Sequence, residues 1–506
     1  MKRNIICIVA IAAAMNLYSQ GEMDAYRFSG NDIFGTARGM AMGGAFGALG
    51  GDITGVSQNP AGIGVYRSSE IIATLDFTST DIETKIGRSV MNDSKFNFNF
   101  GNIAYIGYVP FSNDVKCFNF GFSYNRLKNL DRSYKMSGKG LPTSITDYIA
   151  EITNGTRLND LEGKYAYDDC PWLGVLGYNT YMINPLNERE YESSLNKGEK
   201  VDNRLSVVEK GRVDSYDFTL GTNISDIFYI GATLSLTDLY YEMSSLYSEI
   251  PENGGNINLT NTLITDGSGY QFTIGAIVRP ADVIRLGVSY HSPTWYKMCD
   301  SYYATARFEE SEKTPQDPPF DYNYKTPGRL VASVAGIICS KTILSVDYEY
   351  SDFSKMNLKD IDGFSLSDDP DYDPNVYLSQ DFKGASTLKA GFEYRITPQA
   401  SLRLGYSIMQ SPLEKNFKSG NVQVKTVGTI PQYTLEGDAK CFSWGGGYRF
   451  TSNLYMDIAF SWKWRDDLLY AFSPVIANNG IEVLSSTPSK FKNNTYRGLV
   501  TLGYKF

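Results

Sequence analysis

Residues 116–126 read Lys-Cys-Phe-Asn-Phe-Gly-Phe-Ser-Tyr-Asn-Arg, and the alternation in them decides the fold. Phe118, Phe120, Phe122 and Tyr124 fall on one side of an extended chain, with Cys117, Asn119, Gly121, Ser123 and Asn125 on the other. Period two, with one apolar and one polar face, is a strand signature. It recurs in 284–291, where Ile284, Leu286, Val288 and Tyr290 oppose Arg285, Gly287, Ser289 and His291. It recurs again in 454–465, where Met456, Ile458, Phe460, Trp462 and Trp464 oppose Asp457, Ser461, Lys463 and Arg465. The same reading fits 70–79, 213–222, 227–242, 269–279, 341–353, 384–396, 400–410, 438–450 and 494–506. It is blurred in 96–109 and 327–339, where both faces carry apolar residues, and the total is fourteen strands.

The connections between these strands alternate in length. Short turns fall around Pro110–Val115 and at Asn223–Asp226, Pro280–Val283, Cys339–Lys341, Thr397–Ala400 and Thr451–Asn453. Between them lie long connections, the longest spanning about 127–212. A soluble sandwich has no reason to sort its loops in this way. A transmembrane barrel does, with short periplasmic turns, long outer loops and an even strand number. The apolar strand faces then point outward into lipid, and closure satisfies the backbone. The expected class is all-β, a 14-stranded antiparallel transmembrane barrel.

Composition agrees with that class. The chain has 506 residues, a length that for a soluble protein would suggest several domains. Its net charge is −9, which disfavours nucleic acid as a partner. Aromatic residues reach 14%, enough to supply two interfacial girdles. Beyond residue 18 no apolar run approaches a membrane helix in length. A single histidine, His291, excludes a multi-histidine metal site, and no cofactor is expected. Adjacent strand residues face opposite ways, so His291 and Ser292 cannot form a nucleophile–base pair, and the chain does not read as an enzyme. Residues 368–373 carry four aspartates but lack the glycine and glutamate of a calcium loop. Five scattered cysteines follow Cys7, which is not a disulfide framework.

Residues 1–20 have the charged start, short apolar run and polar end of a secretory signal. Residues 21–66 do not alternate. Their run of glycine and alanine from Gly35 to Asp52, with Gly43 and Gly44 within it, suits close packing against surrounding walls. Asn59 as N-cap, with Pro60 and Ala61 following, would start a short helix. This segment reads as an N-terminal lumenal hatch, leaving 67–506 for the barrel.

The stretches GMAMGGAFGALGGD at 39–52, NPAGIG at 59–64, FGNIAYIGYVPF at 100–111 and IRLGVSYHSPTWY at 284–296 resemble the FadL/TodX family of outer-membrane transporters of hydrophobic compounds. So does SYDFTLGTN, beginning at Ser215, while LSVDYEYSDFS at 344–354 is similar to the form the family takes in Bacteroidota. The resemblance implies an N-terminal hatch, an apolar capture groove on outer loops, a second site in the lumen, and sideways exit into the membrane near a kinked third strand. Carried onto this chain, Gly121 becomes the residue expected to shape the lateral opening. The outer segment Trp172, Leu173, Leu176, Tyr178, Tyr181 and Met182 is the expected capture site, since an exposed apolar patch either packs on itself or binds something greasy. Each methylene buried there would contribute ~0.8 kcal/mol. Arg285 and Arg403, on lumen-facing parity, are the expected partners of a carboxylate head group.

The function expected is uptake of hydrophobic small molecules, long-chain fatty acids first, in the Gram-negative outer membrane. The alternatives are another apolar cargo, an aromatic hydrocarbon or haem, and a surface adhesion or structural barrel. Expected partners are outer-membrane lipid, the hydrophobic ligand and the barrel-assembly machinery, read through a C-terminal strand ending in Phe506. The protein is expected to be a monomer with both termini periplasmic.

Overall fold

The computed structural model describes residues 21–506, apart from Asn31, Asn113, 164–165, 316–318, Ser340, 368–372, Asn421, Val427 and 477–480. The signal sequence and most of the aspartate run therefore lie outside the described residues. Fourteen antiparallel strands form the wall. They are β1 (Glu70–Ile86), β2 (Ser89–Pro110), β3 (Val115–Asn129), β4 (Val201–Ile224), β5 (Phe228–Pro251), β6 (Ile257–Ala281) and β7 (Ile284–His291), followed by β8 (Arg329–Ile338), β9 (Thr342–Asp352), β10 (Gly384–Arg395), β11 (Ala400–Met409), β12 (Ala439–Arg449), β13 (Leu454–Tyr470) and β14 (Ser489–Lys505). The first and last strands pair from Glu70↔Lys505 to Lys85↔Lys490, which closes the barrel. The order and number match the alternation in the sequence. No helix among the described residues is long and apolar enough to cross a membrane.

Several strands are far longer than their apolar faces suggested, and the reason lies in β5. Its even-numbered residues face outward throughout. Phe228, Ile230, Leu234 and Leu236 are exposed, as lipid requires, and Thr233, Ser235 and Thr237 are buried inside. Above this level the chemistry exchanges faces. Asp238 and Glu242 now face outward, while Leu239, Tyr241, Met243 and Tyr247 are buried within. β4 and β6 do the same: Tyr216, Phe218 and Leu220 point out below, whereas Val207, Leu205, Leu259 and Leu263 point in above. A strand that leaves the membrane meets water outside and a packed core inside, so its pattern changes phase while its backbone continues. The stretches 80–86, 89–95, 201–212 and 243–268, outside the strands read from the sequence, are accordingly largely strand.

The extended walls enclose the largest apolar core of the protein. It contains Tyr241 and Tyr247 from the wall, α1 (Glu22–Ser29) through Ala25 and Phe28, and α2 (Ile145–Thr153) through Ile145 and Ile149. α2 begins with a capping box between Ser144 and Asp147. The carboxylate of Glu249, above the lipid-facing band, accepts from the Ile145 N–H at 2.9 Å and from the Ser144 hydroxyl. Burial pushes its carboxyl up to about 7. α3 (Trp172–Asn179) is buried beside these through Leu173 and Leu176.

The short turns lie at one end of the barrel with Phe506, and this core lies at the other. α1, the first described element, belongs to the core, because Phe28 packs on Tyr241 and Tyr324 donates to the Ala25 carbonyl at 2.6 Å. The two ends of the described chain therefore lie at opposite ends of the barrel. That corrects the expectation that both termini share the periplasmic side: the apolar face of α1 is taken up by the core.

The change of phase in β5 makes a direct prediction. Leu234→Arg, in the lipid-facing band, should cost ~2–4 kcal/mol, and Asp238→Arg, on the same face but above it, less than ~1 kcal/mol. Equilibrium unfolding from liposomes measures both, and equal costs would contradict the assignment.

Candidate functional site

The lumen is filled in its lower half by residues 33–66, which descend from α1 toward the short-turn end. Three polar residues start their local turns. Thr36 accepts from the Gly39 N–H, Asp52 from Thr54 and Asn59 from Ala61, the last opening a 3-10 turn at Pro60–Val65. Glycines let this chain touch the wall. Gly43 has φ +65°, and a Cβ on Gly405 would lie 2.0 Å from its nitrogen; a Cβ on Gly287 would lie 2.5 Å from the Gly47 carbonyl. Gly44 also has positive φ, +75°.

Polar side chains of the wall complete the contact. Asn59 donates to the Gly47, Ala276 and Val288 carbonyls at 2.8, 3.1 and 3.3 Å. The Gly47 N–H donates to Asp347 at 2.8 Å, and Asn119 donates to the Ile63 carbonyl at 2.7 Å. Gln58 presents its carbonyl to Ser289 at 2.7 Å and to His291 Nε2 at 2.9 Å. A buried ionic chain joins the two parts: Arg38 pairs with Glu393 at 2.8 Å, Glu393 with Arg403 at 2.7 Å, and Arg403 with Asp457 at 2.5 Å. Removing one member would leave the others buried and uncompensated.

Arg285 and Arg403, the expected head-group cations, are thus engaged differently. Arg403 is paired within the ionic chain, Arg285 donates to the Leu49 carbonyl, and neither lines the cavity above. That cavity measures about 270 Å³ and surrounds the chain between α1 and Met40. Its lining is rich in charge, including Asp32, Asp76, Arg126, Lys128, Arg132, Glu209, Glu436, Lys463, Arg465 and Arg497. The pairs Lys463–Asp32 at 2.6 Å and Arg126–Asp214 at 3.0 Å hold parts of it. Parity in the sequence had placed Lys463 and Arg465 in the lumen, and would have found Arg497 by the same rule. Arg126 escapes it. It has lipid-face parity, yet it stands in register opposite Asp214 of β4, pairs with it and lines the cavity.

The wall beside this cavity is incomplete in one place. β2 and β3 pair from Pro110↔Cys117 up to Asn102↔Asn125 and no farther. Above that level β2 continues to Ser89, paired with β1 alone among the barrel strands. Side chains bridge the seam: Arg126 donates to Asn99 at 2.5 Å, Lys95 to the Glu209 carbonyl at 2.8 Å, and Lys135 pairs with Asp93 at 3.3 Å. Phe96, Phe98 and Phe100 stand exposed on the outer lip. Gly121, expected to shape an opening, is paired on both sides, with Ile106 and Thr219. A Cβ there would meet Ile63 at 3.1 Å, so its small size serves the fit of the 3-10 turn, and the break lies farther up the strand.

The expected capture segment is divided. Leu173, Leu176 and Met182 are buried in the large core, and self-packing accounts for them. Trp172 packs against Tyr167 and Tyr302, with ring centroids 5.8 and 5.6 Å away, and Tyr178 bonds to Glu162. Tyr181 is exposed, at φ 62°.

The family model described as outer membrane protein transport protein (OMPP1/FadL/TodX) matches residues 214–474. No curated protein matches the chain by sequence. Among solved structures, a FadL homologue of Pseudomonas aeruginosa is similar over 94% of this chain and 100% of its own, at 12% identity and a TM-score of 0.57. The toluene transporter TodX of P. putida is similar over 94% of this chain and 99% of its own, at 12% identity and a TM-score of 0.51. At these identities the likeness concerns the fold.

Deleting residues 21–66 should convert a closed barrel into an ion-conducting pore in planar bilayers. Unchanged conductance would show that the segment does not occlude the lumen.

Proposed function

Because the chain belongs to the FadL/TodX family of outer-membrane transporters of hydrophobic compounds, we propose that its cargo is a long-chain, fatty-acid-like amphiphile that leaves sideways through the seam between β2 and β3. Residues 21–66 act as the hatch, and 67–506 form the barrel. The end carrying the large core faces outward and the short turns face the periplasm. Trp172, Tyr178 and Tyr181, the part of the capture segment left at the surface, make the first contact with cargo. The charged cavity takes the head group, with Lys463, Arg465 and Arg497 in place of Arg285 and Arg403. Passage is driven by diffusion and requires no catalysis.

One observation carries this reading: the charged cavity borders a stretch of wall held by side chains rather than by a backbone ladder. Opening it breaks a few polar contacts. Opening any fully paired seam would expose a row of backbone groups to lipid, each costing several kcal/mol. The exposed phenylalanines of β2 offer an apolar surface for the emerging tail.

Cysteines at Asn99 and Arg126, tied by a bismaleimide, test the route. Tying them should abolish uptake of a fluorescent fatty acid into proteoliposomes and leave its binding in place. Uptake at the untied rate would overturn lateral exit at this seam.

A further inference from the structure

Lumenal carboxylates of this barrel are mostly compensated by a cation: Asp76 by Arg497, Glu349 by Lys389, Glu393 by Arg38 and Arg403. Asp217, in the middle of β4, is different. Its residue is 7% exposed, it faces inward, and among the described residues no cationic side chain lies within ion-pair distance. One of its oxygens accepts from Asn125 Nδ2 at 2.7 Å, and the other, Oδ1, has no partner. The strand register sets Ser123 and Ser235 directly beside it, and Ser215 and Thr237 in the next row. The hydroxyls of Ser235, Ser215 and Ser123 lie within hydrogen-bonding reach of the carboxylate, so the groups around it are all neutral. A buried charge left in this state is costly.

We propose that Asp217 and the hydroxyls around it form a binding site for a monovalent cation, either an alkali ion or the ammonium head of an amphiphile. A single carboxylate amid neutral oxygens matches one positive charge. A calcium site draws on more carboxylates, and the described residues hold no cluster of three or more metal-ligating side chains. Ser123 and Asp217 also border a hollow of about 460 Å³ on the outer wall, open toward lipid and walled by Ile103, Phe122, Tyr216 and Phe218. The paired ladder of β3 and β4 separates that hollow from the inward-facing carboxylate, so an ammonium head would reach Asp217 from the lumen. The proposal concerns the resting barrel and is independent of which cargo crosses it.

The thermal unfolding midpoint of the purified protein, in a neutral detergent at constant ionic strength, tests this. Sodium or potassium chloride, at ten times the half-saturating concentration, should raise the midpoint by about 2 °C over N-methylglucamine chloride. Asp217→Asn should lose that response. If decylammonium stabilises the wild type saturably where alkali ions do not, and Asp217→Asn again does not respond, the ammonium head is the ligand. Equal behaviour of all cations, or identical responses in wild type and Asp217→Asn, would overturn the proposal. Should Asp217→Asn fail to fold, Ser235→Ala keeps the charge and thins the oxygen ring. It should raise the half-saturating concentration several-fold, and an unchanged value would count against the site.

Discussion

Backbone hydrogen bonding in lipid is the constraint on which everything else here depends. A strand in hydrocarbon cannot leave its N–H and C=O groups unpaired, so the sheet must close, and β1 finds β14 along their full shared length. Closure turns each strand's apolar face outward and its polar face inward. The polar interior then needs a filling that answers its hydrogen bonds. Residues 33–66 do so with glycines where backbones touch, and with Asn59, Gln58 and Arg38 where polar groups must meet.

The same constraint singles out the one place among the described residues where neighbouring barrel strands are not joined by a backbone ladder. A fully paired seam is expensive to part, and a seam held by side chains is not. Between β2 and β3 the ladder stops at Asn102↔Asn125, and the charged cavity lies directly behind. Arg126, one residue past the end of that ladder and in register with Asp214 on the other side, reaches across the gap to Asn99. The end of the pairing and a polar latch thus lie side by side.

Much of the fold was legible in the sequence, since twelve of the fourteen strands follow from clean alternation and the other two, 96–109 and 327–339, from apolar runs of strand length between turns. What alternation missed has a physical pattern. In β5 the apolar residues change from even to odd positions between Leu236 and Leu239, so a search for one continuous apolar face ends where the membrane ends. The capture segment was legible as apolar but not as core, because burial of Leu173 and Leu176 depends on walls distant in sequence. Arg285 and Arg403 were rightly placed inside the barrel by parity. Parity says nothing of height along the axis, and height separates the residues that grip the N-terminal segment from those that line the cavity. Gly121 drew attention as a glycine within a strand, yet its space is taken up by Ile63.

A lumen that receives a hydrophobic amphiphile should retain it through purification. Native mass spectrometry of the protein, extracted from membranes in mild detergent, should show a population carrying the added mass of one acyl amphiphile, released on collisional activation. Bare protein in every preparation, even after incubation with long-chain fatty acid, would contradict that role of the lumen.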